Sequence, residues 1–115
     1  MPLLKLETNV ALPEDQKKSL LTALSKIVAT TIGKPEVYVM VTMSNSAMQM
    51  AGVQGSAAFV DIRSIGGLSH EVNRKLSKEI CQLLKDSVSI QPGRVYLNFT
   101  DVPGSNWGAN SSTFA

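Results

Sequence analysis

The sequence predicts an α+β domain in which two β-α-β repeats form one four-stranded sheet with two helices on one face. Three observations carry this. There are two stretches of helical periodicity of similar length, β-branched runs flank each of them, and glycine or proline sits at the junctions. At 115 residues the chain fits a single domain spanning residues 1–115.

Leu3-Leu4-Lys5-Leu6-Glu7-Thr8-Asn9-Val10 alternates as a strand that starts right after Met1-Pro2. Pro13-Glu14-Asp15 then opens a helix, since proline suits a first turn and acids there favour the helix dipole. Leu20, Leu21, Leu24, Ile27, Val28 and Thr31 follow at helical spacing, and Gly33 is the expected stop. Val37 to Met43 is rich in β-branched residues and reads as the second strand. Ser44 to Gly55 is a small-residue stretch holding Met48 and Met50, expected to be a turn or short helix and then a loop.

The pattern then repeats. Ala57 to Ile65 is a strand and Gly66-Gly67 breaks it. Ser69 caps a helix that carries Val72, Leu76, Ile80, Leu83, Leu84 and Val88 on one face. Pro92-Gly93 turns the chain, and Val95 to Thr100 is the fourth strand. Residues apolar on both faces, as in Val37 to Met43, leave a second sheet face to be covered, and the sequence offers no third layer. Subunit packing is the expected cover. The tail from Asn106 is small and polar except for Trp107 and Phe114. Its end, Phe114-Ala115, is expected to dock, on this chain or on a neighbour.

Composition narrows the function. The net charge is +2, and the eleven lysines and arginines are scattered among acids, which argues against a nucleic-acid surface. No apolar run approaches the ~20 residues of a membrane span. Cys81 is the one cysteine, so no intrachain disulfide can form, and a reducing, cytoplasmic setting is the simpler expectation. The first residues lack the features of a signal peptide, so action outside a cell would require a leaderless route. CxxC pairs, metal-spaced His/Cys clusters and phosphate-binding glycine loops are missing, so no cofactor or metal is expected. His70, the one histidine, reads as a solvated residue at a helix start.

What remains is the N-terminus. Proline is small enough to follow a removable methionine, and loss of Met1 would leave Pro2 as a secondary amine. An α-amino group titrates near ~8, and burial beside a cation would lower that further. The product is a base suited to removing a proton next to a carbonyl. Many chains begin Met-Pro, so this feature gains meaning only from the residues that accompany it.

Met1-Pro2-Leu3, Gly33-Lys34-Pro35, Ser64-Ile65-Gly66, Arg94 to Phe99, and Ser112 to Ala115 together resemble the macrophage migration inhibitory factor family. The resemblance runs through the whole chain in matching order. It implies a trimeric tautomerase fold, a homotrimer with three active sites at subunit boundaries. It also implies keto–enol tautomerisation of phenylpyruvate-type 2-keto acids and dopachrome analogues without a cofactor. By position it implies that Pro2 is the base and that Lys34 holds the substrate carboxylate. Ile65 would bind substrate through its backbone N–H, with Tyr96 and Asn98 supplied by the adjacent subunit. Leu3, Tyr38 and Phe114 would line the pocket.

Elementary chemistry agrees with these roles. A 2-keto acid needs a cation for its carboxylate, which Lys34 supplies, and donors at the developing enolate, which Asn98 or Tyr96 supplies. An aryl group needs apolar walls, here Tyr38, Tyr96, Trp107, Val41 and Phe114. Without the resemblance, Tyr38 and Tyr96 would read as ordinary strand aromatics and Lys34 as a solvated cation near a helix end. Asn98 stands out on its own, because asparagine is disfavoured in mid-strand.

The chain also departs from the family. The third-strand CxxC of the animal factors falls at Ala57 and Val60, so no thiol-redox activity is expected. Cys81 matches a helix cysteine and is expected to be a buried small hydrophobe. The family's tryptophan position falls at Ala109, with Trp107 two residues earlier. Two other functions compete with the enzyme reading. One is a cytokine-like ligand binding a protein receptor with a vestigial pocket. The other is a ferredoxin-like binding module, which the low basic charge disfavours.

Overall fold

The computed structural model describes residues 1–115. Strand β1 (Pro2–Thr8) leads to helix α1 (Glu14–Ile32) and strand β2 (Met40–Asn45). Strand β3 (Ala58–Ser64), helix α2 (His70–Val88) and strand β4 (Val95–Asp101) repeat the unit. The sheet order is β2-β1-β3-β4, with β1 parallel to β2, β3 parallel to β4, and the two repeats joined antiparallel through β1 and β3. The α+β architecture expected from the periodicities is therefore the observed one.

Each helix lays one stripe on the sheet. Leu20, Leu24, Val28 and Ile32 of α1 are buried at a spacing of four, as are Leu76, Ile80, Leu84 and Val88 of α2. They meet Leu4, Leu6, Val60, Ile62 and Val95 from the strands in one core cluster. Leu21, Ile27 and Thr31, placed on the same α1 face by periodicity, are only half-buried at the edge of that stripe. Gly33 ends α1 in the left-handed region (φ 79), its N–H reaching Ala29 O. Ser69 caps α2 by accepting Val72 N–H at 3.1 Å.

Two expectations need correction. The segment Val37–Met43 is not one strand: Glu36–Tyr38 is a 3₁₀ turn entered from Pro35, and β2 starts at Met40. Nor is the outer sheet face apolar. It presents Thr42, Ser44, Lys5, Glu7, Asp61, Arg63, Asn98 and Thr100, interleaved with Leu3, Met40, Phe59 and Tyr96. The apparent two-sidedness came from reading turn residues as strand. Between β2 and β3 the chain makes a turn at Ala51-Gly52 and then a loop, the first of the two alternatives expected for Ser44–Gly55. Met50 and Val53 exchange backbone hydrogen bonds at 3.0 Å, and the Arg94 guanidinium donates to the carbonyls of Met50, Val53, Gly55 and Ser56.

The tail docks on its own chain. Short strands β5 (Gly108–Ala109) and β6 (Ser112–Thr113) form a hairpin. Its turn residues Asn110 (φ 50) and Ser111 (φ 64) are both left-handed, as a tight hairpin turn requires. Phe114 N–H reaches Gly104 O at 3.1 Å and Trp107 O at 3.2 Å. No helix is long and apolar enough to cross a membrane.

Candidate active site

The largest cleft, about 760 Å³, opens at the start of β1. Met1, Pro2 and Leu3 form one side, Val37, Tyr38 and Met40 a second, and the C-terminal hairpin with Trp107, Ala109, Asn110 and Phe114 a third. Local structure explains the convergence. The 3₁₀ turn after Lys34 swings Val37 and Tyr38 outward, and the anchored hairpin folds back over the same end of the sheet.

Of the predicted site residues, Pro2, Leu3, Tyr38, Trp107 and Phe114 share this cleft. Pro2 is fully buried with Met1 attached, and its nitrogen is then a peptide nitrogen without basicity. Ile65 follows the residue that pairs with Pro2, since Pro2 stands opposite Ser64. Lys34 is half-buried at the end of α1, with its side-chain stem running past Gly67.

The electrostatics of this corner show in the chain terminus. The Met1 α-amino group is held below its ordinary value, first by burial and second by the Lys34 ammonium. Both causes disfavour a positive charge at this end of β1. Lys34 is thus close enough to act on an amine there, although its side chain does not form the cleft wall.

Tyr96 and Asn98 are not brought to this cleft. They lie exposed on the outer face of β4, opposite Phe59 and Asp61. Val41, expected as a wall, is not one: strand alternation turns it toward the helices, where it packs on the core. Its neighbour Met40 lines the cleft instead. Cys81 is half-buried at the core margin, and burial pushes its thiol up. His70 is exposed, its Nε2 at 2.8 Å from Arg74 Nη2.

Sequence reasoning missed Val37, Met40, Asn110, Ser112 and Thr113 as cleft residues. The pair Asn110-Ser111 held a usable signal, because asparagine tolerates the left-handed region and marks a hairpin turn.

The fold is of a doubled strand–helix–strand α+β class, with its main cleft at the head of the first strand. A family profile described as macrophage migration inhibitory factor matches residues 1–115. The chain is 36% identical over 115 residues to a macrophage migration inhibitory factor homolog of Trichuris trichiura, covering 99% of this chain and 100% of the other. It is likewise 36% identical over 119 residues to macrophage migration inhibitory factor of Rattus norvegicus, covering all of both chains. Among solved structures, a macrophage migration inhibitory factor-like protein from Entamoeba histolytica superimposes with a TM-score of 0.95. That pair is 35% identical, covering 98% of each chain. This chain belongs to the macrophage migration inhibitory factor family.

Proposed function

We propose that this protein is a cofactor-independent keto–enol tautomerase of phenylpyruvate-like 2-keto acids, with the Pro2 amine as base once Met1 is removed. The observation that carries the reading is the setting of the terminal amine. The chain end stands in an apolar cleft, where burial and Lys34 together lower the affinity of an amine for a proton. Pro2 lies one residue deeper, so its amine would experience the same two causes. It would be free to accept a proton near neutral pH.

In this reading the Pro2 nitrogen takes the proton from the carbon between the keto group and the aryl ring. The electron pair moves onto the carbonyl oxygen as an enolate, and the protonated proline returns the proton to that oxygen. Lys34 holds the carboxylate, Ile65 N–H donates to the substrate, and Leu3, Tyr38, Trp107 and Phe114 wall the aryl group. Tyr96 and Asn98 act from the adjacent subunit of a homotrimer. The uncapped edge strands β2 and β4 and the exposed Val37, Tyr38, Met40 and Tyr96 suit such an assembly.

The test is phenylpyruvate keto–enol exchange followed by absorbance, with mass spectrometry to confirm loss of Met1. Activity in Met1-free protein and a loss of at least about a hundredfold in Pro2→Gly is the expected result. An inactive Met1-free protein would sink the phenylpyruvate reading.

A further inference from the structure

The turn that follows β3 is tied on both sides. Gly66 N–H donates to Asp101 Oδ1 at 2.9 Å, and Ser64 Oγ donates to the Gly66 carbonyl at 2.7 Å. Val102 N–H donates to Ser64 O at 2.9 Å, so the end of β4 is anchored to the same turn. Gly66 and Gly67 adopt φ 70 and 79, a left-handed region that glycine reaches without steric penalty. The Asp101 carboxylate enters no salt bridge, and Gly66 N–H is its hydrogen-bond partner.

Between these tethers, the Ile65 N–H has no acceptor within the chain. Ile65 is half-buried, and its N–H is left to an acceptor from outside the chain. Pro2 pairs with Ser64 at the last rung of the β1–β3 ladder, and Ile65 is the next residue beyond it. The unpaired Ile65 donor therefore stands one residue beyond the rung of Pro2. Such a donor binds best when its peptide is already fixed, because no ordering is then needed on binding.

We propose that Asp101 is a positioning residue. By accepting Gly66 N–H it holds the Ser64–Gly67 turn so that Ile65 N–H is aimed at an anionic substrate oxygen beside Pro2. Ser64 holds the same turn from its buried side. The proposal rests on the tautomerase reading for the class of substrate, a 2-keto acid; the tethered turn and its free donor stand without it.

The experiment titrates ¹⁵N-labelled, Met1-free protein with phenylpyruvate, following the Ile65 amide signal and measuring KM and kcat on the same samples. The Ile65 amide of the parent is expected to move on binding. Asp101→Ala should weaken binding and raise KM by roughly tenfold, the scale of one misplaced hydrogen bond, with kcat nearly unchanged. Asp101→Asn keeps an oxygen that can accept from Gly66 and should stay within about twofold of the parent. A purely structural role would not separate Asn from Ala in KM at constant kcat. Ser64→Ala cuts the second tether and should give a smaller rise. It carries the comparison with Asp101→Asn if Asp101→Ala does not fold. An Ile65 amide that ignores phenylpyruvate, or an alanine variant with parental affinity, overturns the proposal. A parent that binds through Ile65 without turning substrate over refutes the tautomerase reading and leaves Asp101 in its role.

Discussion

Tyr96 and Pro2 lie at opposite ends of one sheet. Pro2 aligns through Ser64 with Asp101, whereas Tyr96 aligns through Phe59 with Glu7. At a rise of ~3.3 Å per residue, this offset is about 16 Å along the strands, and β4 is two strands removed from β1. Two groups so placed cannot touch one small substrate within a single chain. If both serve one site, they come from different subunits.

That geometry yields a complementation test. Pro2→Gly and Asn98→Ala proteins should each be nearly inactive alone. Unfolded together and refolded, they should recover activity at the roughly one-quarter of boundaries that pair an intact Pro2 with an intact Asn98. Sedimentation should show trimers for all three samples. Failure of the mixture to exceed its parts, with trimers present, would remove Asn98 from the shared site.

Lys34 acts on the terminal amine by charge, so its removal should shift a pH profile in a known direction. The base works only when unprotonated, and activity falls as pH drops through its pKa. A cation that lowers this pKa extends activity to lower pH. Lys34→Ala should therefore move the acid limb of kcat/KM to higher pH and raise KM by about tenfold or more through loss of the carboxylate partner. An acid limb that stays in place would show that burial alone sets the amine.

Stability should respond most to the helix–sheet core. Leu76 is fully buried on α2, and Leu76→Ala should cost about 2–5 kcal/mol in denaturant unfolding. Ser69→Ala removes the cap on the same helix and should cost about 1 kcal/mol. Both need measuring at one fixed protein concentration, since association would add to apparent stability. A cap effect as large as the core effect would mean that α2 is held by its end rather than by its face.

Most of the fold was legible because the core depends on local periodicity. Leu76, Ile80, Leu84 and Val88 recur every four residues, and Ser69 by its hydroxyl and Gly33 by its backbone freedom punctuate the helices without tertiary knowledge. Legibility failed where turns decide direction. Pro35 begins a 3₁₀ turn inside an otherwise strand-like run, so Val41 faces the helices and Met40 the cleft. Pro2 and Lys34 could be named from their resemblance to family motifs, but their nearness depends on packing between residues far apart in sequence. Asp101 and Gly66, 35 positions apart, gave no signal, because a carboxylate accepting a backbone N–H leaves no pattern in composition.

The C-terminal hairpin should set how large a substrate the cleft accepts. Ala109 and Trp107 both line it, from a hairpin held in place by the Phe114 hydrogen bonds to Gly104 and Trp107. Ala109→Trp adds an indole to that wall, whereas Trp107→Ala removes one. The first change should penalise a two-ring aryl keto acid relative to phenylpyruvate by roughly tenfold in kcat/KM, and the second should favour it, the range expected for reshaping one apolar wall. Both ratios come from competition between the two substrates in one reaction, which cancels errors in active-site concentration. If neither ratio moves while both variants keep the fold, substrate does not reach the hairpin, and the aryl group must lie against Tyr38 and Leu3 instead.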